Sequence, residues 1–400
     1  MGRALRTLED LGDVSGKRVF VRVDYNVPIQ GRRVVDDLRI RASLPTLREL
    51  LAGGSALVVA SHLGRPKGRV NDDLRMAPVA DRLAGLIETD VAAVSDVVGE
   101  EAGAVCSHIE PGDVVMLENL RFDPREEQND PGFADALAQL ADLYVDDAFG
   151  AAHRAHASVV ALAERLPSAA GRLLQREVEV LSRLLEGPED PYVAVLGGAK
   201  VSDKLAAVSS LIRRVDALLI GGAMAFTFIA ARGGRVGRSL VEEDLIEEVR
   251  RAEKLASETG CLIQLPEDVV AAREMSADAD RRTVPADDIP PDQMGLDVGP
   301  RTVEEFARTL ADARTILWNG PMGVFELEPF SAGTRGVAHA VAGAKAFTVV
   351  GGGDSLLAVK RLGLEDSFDH LSTGGGASLE FLEGRELPGI EVLRRSGEEG

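Results

Sequence analysis

Cysteine is nearly absent: Cys106 and Cys261 are the only two in 400 residues, and neither sits in a CxxC or Cys/His spacing. That scarcity argues against a disulfide framework and a structural zinc site, and it suits a reducing compartment. Nowhere do 18 uninterrupted apolar residues occur, so no membrane-spanning helix is expected. The opening MGRALRTLEDLGDVSGKR has no apolar stretch of the kind a signal peptide needs, and a soluble, cytoplasmic protein is expected. Basic blocks are missing too. With 45 Lys and Arg against 65 Asp and Glu, the net charge is −20, which repels nucleic acid and anionic lipid. A small anion is not excluded, because a local group of arginines sets the field within about 8–10 Å. Also absent are GxxxxGK[ST] and GxGxxG, despite triple glycines at 351–353 and 374–376, and the HRDLxxxN and DFG signatures of protein kinases. Walker-type, standard dinucleotide and protein-kinase readings all lose support.

What is present is an alternation. Short, nearly continuous apolar runs (VFVRV, ALVVA, DVVML, LYVDD) are separated by stretches of helical period near Arg39–Leu51, Arg75–Ile87 and Asp135–Ala141. This is the rhythm of parallel strands covered on both faces. From Pro167 to Glu186, leucines and valines recur at helical spacing and predict one long helix. After GPEDP a second series opens: YVAVL, ALLI, CLIQL, TILW and AFTVV. The chain is long enough for two cores, so two α/β units with mainly parallel sheets are expected. The long helix is either a rigid connector between them or an ordinary crossover helix.

In open α/β sheets, ligands gather beyond the carboxyl ends of strands, so the residues after each apolar run are the ones to read. In the first half three such ends lead to an arginine: Arg65 after ALVVASHLG, Arg121 after VVMLENL, and Arg154 after LYVDDAF, with His62, His153 and His156 beside them. One arginine is ordinarily a solvated surface charge. Three convergent ones point to a clamp for phosphate and carboxylate, which guanidinium groups bind bidentately. The second half uses glycines. In VAVLGGAKVSDKLAAV a strand ends in Gly197-Gly198 and a helix is expected to start near Ser202, a place where backbone amides can meet phosphate. Lys200 and Lys204, two of the seven lysines, lie in this turn. In NGPMGVFE, Glu326 can meet ribose hydroxyls. In GGGDS, Asp354 and Ser355 fall at a helix start, where Asp354 is either an N-cap or a magnesium ligand.

The ordered set RVDYNVP, DDLRIRASLPT, SHLGRP, LENLRF, YVDDAFGAAHRAHAS, LGGAKVSDKL, GGAMAFTF, LWNGPMGVFE, VVGGGDS and STGGGASLEFL resembles the successive signatures of the phosphoglycerate kinase family, from about Arg22 to Leu382. The resemblance implies two Rossmann-like three-layer domains joined by an interdomain helix. Residues 1–167 would bind 3-phosphoglycerate or 1,3-bisphosphoglycerate. Residues 168–186 would form the helix and 187–382 would bind Mg-ADP or Mg-ATP, while a tail of about 383–400 would fold back onto the first domain. It implies hinge closure, a monomer, and no nucleic-acid or membrane partner. Carried over by motif, the acid site comprises Asp24, Asn26, Arg39, His62, Arg65, Arg121 and Arg154. The nucleotide site comprises Gly197, Lys200, Lys204, Gly221, Asn319, Glu326, Gly353, Asp354 and Ser355, with Asp354 holding magnesium. Catalytic roles fall to Arg39, Lys200 and Lys204. Ala223 stands where the family commonly has a third glycine, Ala151 replaces a frequent threonine and Arg176 a frequent lysine. None of these carries the transferred phosphate.

The chemistry fits such a set. An acyl phosphate giving its phosphoryl group to ADP leaves a carboxylate, which needs no proton at neutral pH, so no general acid is required. Positive charge is required, because two polyanions must approach in line. Three other readings compete. A kinase of a smaller acid would not need anchors on so many strand ends. A nucleotide-sensing protein could dispense with Arg39 or Lys200. A dehydrogenase would carry the missing fingerprint.

Overall fold

VFVRV and the apolar runs like it become strands of two parallel sheets. Residues 4–394 are described by the structure, a computed structural model. The chain divides into two units, Met1–Glu179 with Glu386–Gly400, and Val180–Arg385.

In the first unit the strands are β1 (Arg18–Val23), β2 (Ala56–Ala60), β3 (Val91–Ala93), β4 (Val114–Met116), β5 (Leu143–Asp147) and β6 (Ser168–Ala170). Their order is β3-β4-β2-β1-β5-β6, and every pairing is parallel. Val21 lies level with Val59 on one side and Val145 on the other. All residues of β2 and β5 are buried, as expected for strands covered on both faces. Helices α1 (Leu38–Ala52), α2 (Ala77–Ile87), α3 (Glu100–Cys106), α4 (Pro131–Ala138) and α5 (Arg172–Glu186) complete the alternation. Ile40, Leu47 and Leu83 from α1 and α2 join Val21, Val59 and Val145 in one core.

Two helix boundaries depart from the sequence reading. The expected Asp135–Ala141 helix runs from Pro131 to Ala138, because the Asp130 carboxylate accepts from the Phe133 amide at 2.7 Å and Pro131 occupies the first turn, a start signal the periodicity did not reveal. The expected helix from Pro167 is a strand followed by a helix. Ser168–Ala170 adds β6 to the edge of the sheet, and α5 begins at Arg172. Gly171 makes the corner, where a Cβ would come within 2.2 Å of Asp147 Oδ1. That carboxylate accepts from the amides of Leu173 and Leu174, so it caps α5. The division between the two units falls within α5.

The C-terminal segment joins the first unit through short bonds. Arg6 N–H donates to Leu393 O at 2.9 Å, and Gly389 N–H to Ala152 O at 2.9 Å. Residues 395–400 of the expected tail lie outside the described residues.

In the second unit β7 (Tyr192–Leu196), β8 (Ala217–Ile220), β9 (Leu262–Gln264), β13 (Thr315–Asn319), β14 (Phe347–Gly351) and β15 (His370–Ser372) form a parallel sheet. Its order is β9-β8-β7-β13-β14-β15. A separate antiparallel sheet, β10 (Asp268–Ala272), β11 (Arg281–Pro285) and β12 (Met294–Val298), was not legible in the sequence. Helices α6 (Leu205–Leu211), α7 (Met224–Ala231), α8 (Ile246–Thr259), α9 (Pro300–Ala311), α10 (Ala332–Ala342), α11 (Gly353–Leu362) and α12 (Gly376–Leu382) lie between the strands. The strand order switches direction between β1 and β5 in the first unit and between β7 and β13 in the second. Such switch points open the crevices where α/β proteins bind ligands.

Candidate functional site

At the first switch point β1 delivers Asp24. Its carboxylate pairs with Arg39 Nη1 of α1 at 2.6 Å and lies 3.9 Å from His62 Nε2. Asn26 Oδ1 accepts from the Gly64 amide at 2.9 Å, and Gly64 O accepts from Arg121 Nη1 at 2.8 Å. Asn26 and Arg121 are thereby joined through the SHLGRP turn, which needs glycine at φ +63 because Leu74 presses on it. Six of the seven expected acid-site residues thus come into one electrostatic neighbourhood. Arg154 enters through its field on Arg121 and His62. Arg65 is exposed one residue past Gly64 and takes no part in these bonds.

The cations are crowded and partly dry. Burial first, then the charges of Arg154 and Arg22, lowers Arg121 to about 10, with Glu127 at 3.2 Å opposing. Burial, then Arg22, Arg121 and Arg154, holds His62 well below its ordinary value, and the same causes bring His156 to about 3. Such a place favours an incoming anion, which would relieve the mutual repulsion of the guanidinium groups.

Beneath this surface lies a network that motif reading missed. Arg22 is fully buried; its Nε donates to Ser158 Oγ at 2.8 Å, its Nη1 to Val23 O, and its Nη2 meets His62 Nδ1 at 3.1 Å. Ser158, in a π-turn over Ala157–Ala161, donates through Oγ and backbone N–H to the two carboxylate oxygens of the fully buried Glu126. One signal was available: a charged residue inside VFVRV has no place in a buried strand unless it is paired.

At the second switch point three strand ends knot together. Gly197 N–H donates to Asn319 O, Gly198 N–H to Pro321 O, and Gly222 N–H to Met322 O. A Cβ on Gly197 would meet Pro321 O at 2.1 Å, and one on Gly221 would meet Met322 Sδ at 2.4 Å. Ala223 sits at φ −69, where glycine has no advantage, so the alanine there is accommodated. Lys204 Nζ pins the knot, donating to Gly197 O at 2.6 Å, Asn319 O at 3.0 Å and Asn319 Oδ1 at 2.6 Å. Burial lowers Lys204 to about 8 against the attraction of Asp354 and Asp203. Ser355 Oγ accepts from the Gly320 amide at 2.6 Å. Five expected residues, Gly197, Lys204, Gly221, Asn319 and Ser355, therefore build this knot.

Glu326 and Asp354 instead line an adjacent cavity of about 370 Å³ whose walls include Phe226, Leu240, Leu296 and Val324. Apolar walls with a few polar groups at the rim suit a planar base and its ribose. Gly353 opens α11 and is exposed, as is Lys200.

Two local expectations change here. The helix after the turn starts at Leu205 rather than near Ser202, with Lys204 itself in the capping position. Residues 201–204 are held in a turn because both the amide and the hydroxyl of Ser202 donate to Glu242, at 3.0 and 2.6 Å. Glu242, on a loop far along the chain, carried no motif that could reveal it. Asp354 does not cap α11: the N-cap is Gly352, and Asp354 lies in the first turn without a capping bond. Its carboxylate is free for a metal in the cavity. Among the described residues no group of three or more His, Cys, Asp or Glu could hold a metal unaided. A single carboxylate fits magnesium carried mainly by nucleotide phosphates.

Comparison with known proteins identifies the family. The family model for phosphoglycerate kinase matches residues 8–385. The chain is 59% identical over 389 residues to a phosphoglycerate kinase of Thermomicrobium roseum, covering 97% of this chain and 99% of the relative. It is 56% identical over 390 residues to that of Thermus thermophilus, covering 97% and 100%. Among solved structures, the phosphoglycerate kinase of Coxiella burnetii superposes with a TM-score of 0.86 at 39% identity, covering 98% of this chain and 99% of that one. That of Pyrococcus horikoshii OT3 gives 0.87 at 35%, covering 97% and 98%. With its motifs gathered at two switch points and its likeness spanning almost the whole chain, this protein belongs to the phosphoglycerate kinase family.

Proposed function

We propose that this chain carries out the family's reaction, moving a phosphoryl group reversibly between the acyl phosphate of 1,3-bisphosphoglycerate and ADP, giving 3-phosphoglycerate and ATP. The carrying observation is that the match over residues 8–385 includes both strand-end sites. The acid substrate is assigned to Asp24, Asn26, Arg39, His62, Arg65, Arg121 and Arg154. The crowding of cations around His62 and Arg121 supports that assignment. The nucleotide is assigned to the glycine knot and its cavity, with Glu326 at the ribose, Asp354 toward magnesium and Lys200 toward the transferred group. Magnesium, when bound, supplies positive charge to the phosphate oxygens; the chain's own task is to hold the two anions in line and exclude water. The two sites are assigned to different units, and the hinge closure that the family resemblance implies is part of the proposed working cycle.

Among the described residues no helix is long and apolar enough to cross a membrane. A monomer in the cytoplasm is the proposed working form. A coupled assay of the purified chain with 3-phosphoglycerate and Mg-ATP tests the reading. ATP-dependent turnover that requires magnesium is expected. No turnover with 3-phosphoglycerate, alongside turnover with a smaller carboxylic acid, would replace it with another carboxylate kinase.

A further inference from the structure

We propose that Arg22 is a positioning residue of the acid site, fixing His62 in the tautomer whose proton sits on Nε2. The inference rests on the reading in which His62 faces the acid substrate. A guanidinium group has donors and no acceptor. Its Nη2 lies 3.1 Å from His62 Nδ1, so Nδ1 must accept and cannot carry a proton. With the ring kept neutral among Arg22, Arg121, Arg154 and His156, its one proton is left to Nε2. The other tautomer would set N–H against N–H in a buried place and forfeit the contact.

Arg22 is well suited to impose this choice because it is itself held from several sides. Ser158 Oγ takes its Nε and Val23 O takes its Nη1, while Ser158 passes the interaction to the buried carboxylate of Glu126. Burial raises Glu126, and Arg22 and the two bonds from Ser158 oppose that shift. On the other side of the ring, Nε2 is 3.9 Å from Asp24 Oδ1, too far for a direct hydrogen bond, and Asp24 is already paired with Arg39. The Nε2 proton is therefore available to an incoming oxyanion. His62 would offer a directed, uncharged donor among guanidinium groups that already crowd one another, where a fourth cation would add repulsion.

The test is nitrogen NMR on the full chain carrying labelled histidine, with the His62 signals identified by their loss in His62→Gln. In the unsubstituted protein, Nδ1 is expected to be unprotonated and Nε2 protonated from about pH 6 to 8, a range set by the charged neighbours Asp24, Arg22, Arg121, Arg154 and His156. Arg22→Lys, which keeps a donor without an acceptor, should preserve that tautomer. Arg22→Met should give mixed or reversed tautomers and weaken 3-phosphoglycerate about ten- to a hundredfold, with nucleotide affinity unchanged. A protonated Nδ1 in the unsubstituted protein overturns the proposal even if Arg22→Met fails to fold. So does an Arg22→Met protein that keeps both the tautomer and the affinity. If the tautomer is as stated but the His62 signals do not move on adding 3-phosphoglycerate, the placement of His62 in the acid site fails instead.

Discussion

Lys200 and Lys204 lie four residues apart in one turn yet have opposite surroundings, and that contrast separates binding from scaffolding. An ammonium group has three protons, and all three of Lys204 are spent on Gly197 O, Asn319 O and Asn319 Oδ1. Lys204→Met should therefore leave Gly197 O and Asn319 Oδ1 without this donor, Asn319 O keeping the Gly197 amide, and lower stability by roughly 2–3 kcal/mol, with nucleotide affinity falling as the knot loosens. Lys200 is exposed. Lys200→Ala should change stability by less than about 0.5 kcal/mol while slowing transfer on the order of a hundredfold. Urea unfolding and turnover measured on both variants check the pair of expectations. Equal stability losses would undo the distinction. At the same scale Arg39 is held by Asp24 at 2.6 Å. Asp24→Asn should release it and so slow turnover, while leaving nucleotide affinity unchanged in calorimetry.

Helix α5 and the turn before α6 show how carboxylates set the start of an element. Asp147 caps α5 through Leu173 and Leu174, and burial raises it to about 7. Its folded value lies above the unfolded one, so its stabilising contribution is present below about pH 4 and is lost as pH rises through about 7. Asp147→Asn keeps a carbonyl to accept both amides and cannot ionise. From pH 5 to 8 its stability should therefore improve relative to the parent by roughly 1–3 kcal/mol. The comparison between variants matters because Asp146, also near 7, acts in the same direction, while His156, near 3, acts oppositely up to about pH 6.5. Urea melts at both pH values decide it, and a constant difference would refute the assignment. Glu242 does for the Lys200 turn what Asp147 does for α5. Glu242→Ala should slow turnover about tenfold, Glu242→Gln should retain most of it, and Ser202→Ala combined with Glu242→Ala should add little. These devices also mark where sequence reading stops. Most strands of the two main sheets were legible because their apolar runs are nearly continuous, and the site residues because they follow those strands. Ser168–Ala170 was not, since three small residues beside a strongly helical run reveal their pairing only once β5 is in place. Nor was β11, most of whose residues are exposed. Arg22, Ser158 and Glu126 meet across more than a hundred residues of chain, a contact no local pattern records.

At the scale of the whole molecule, a chain of net charge −20 handles two polyanions by placing its cations at strand ends in each unit. The reaction demands little else, since a departing carboxylate needs no proton at neutral pH, and catalysis rests on charge placed where the transferring group carries it. Arg39 belongs to the unit assigned the acid and Lys200 to the unit assigned the nucleotide. If both act on one phosphoryl group, each serves the transition state more than either bound substrate. Arg39→Ala and Lys200→Ala should then each cost on the order of a hundredfold in turnover at saturation, with much smaller changes in the separately measured affinities. Residues acting on one charge distribution are not independent, so the double variant should lose less than the product of the two single losses. Raising salt should weaken encounter with both substrates, because screening acts most on exposed charges such as Lys200. The measurement is a double-mutant cycle on turnover at two ionic strengths, with both affinities determined by calorimetry. Losses that multiply strictly and appear only as weaker binding would mean that Arg39 and Lys200 hold their own ligands and never share the phosphate in transit.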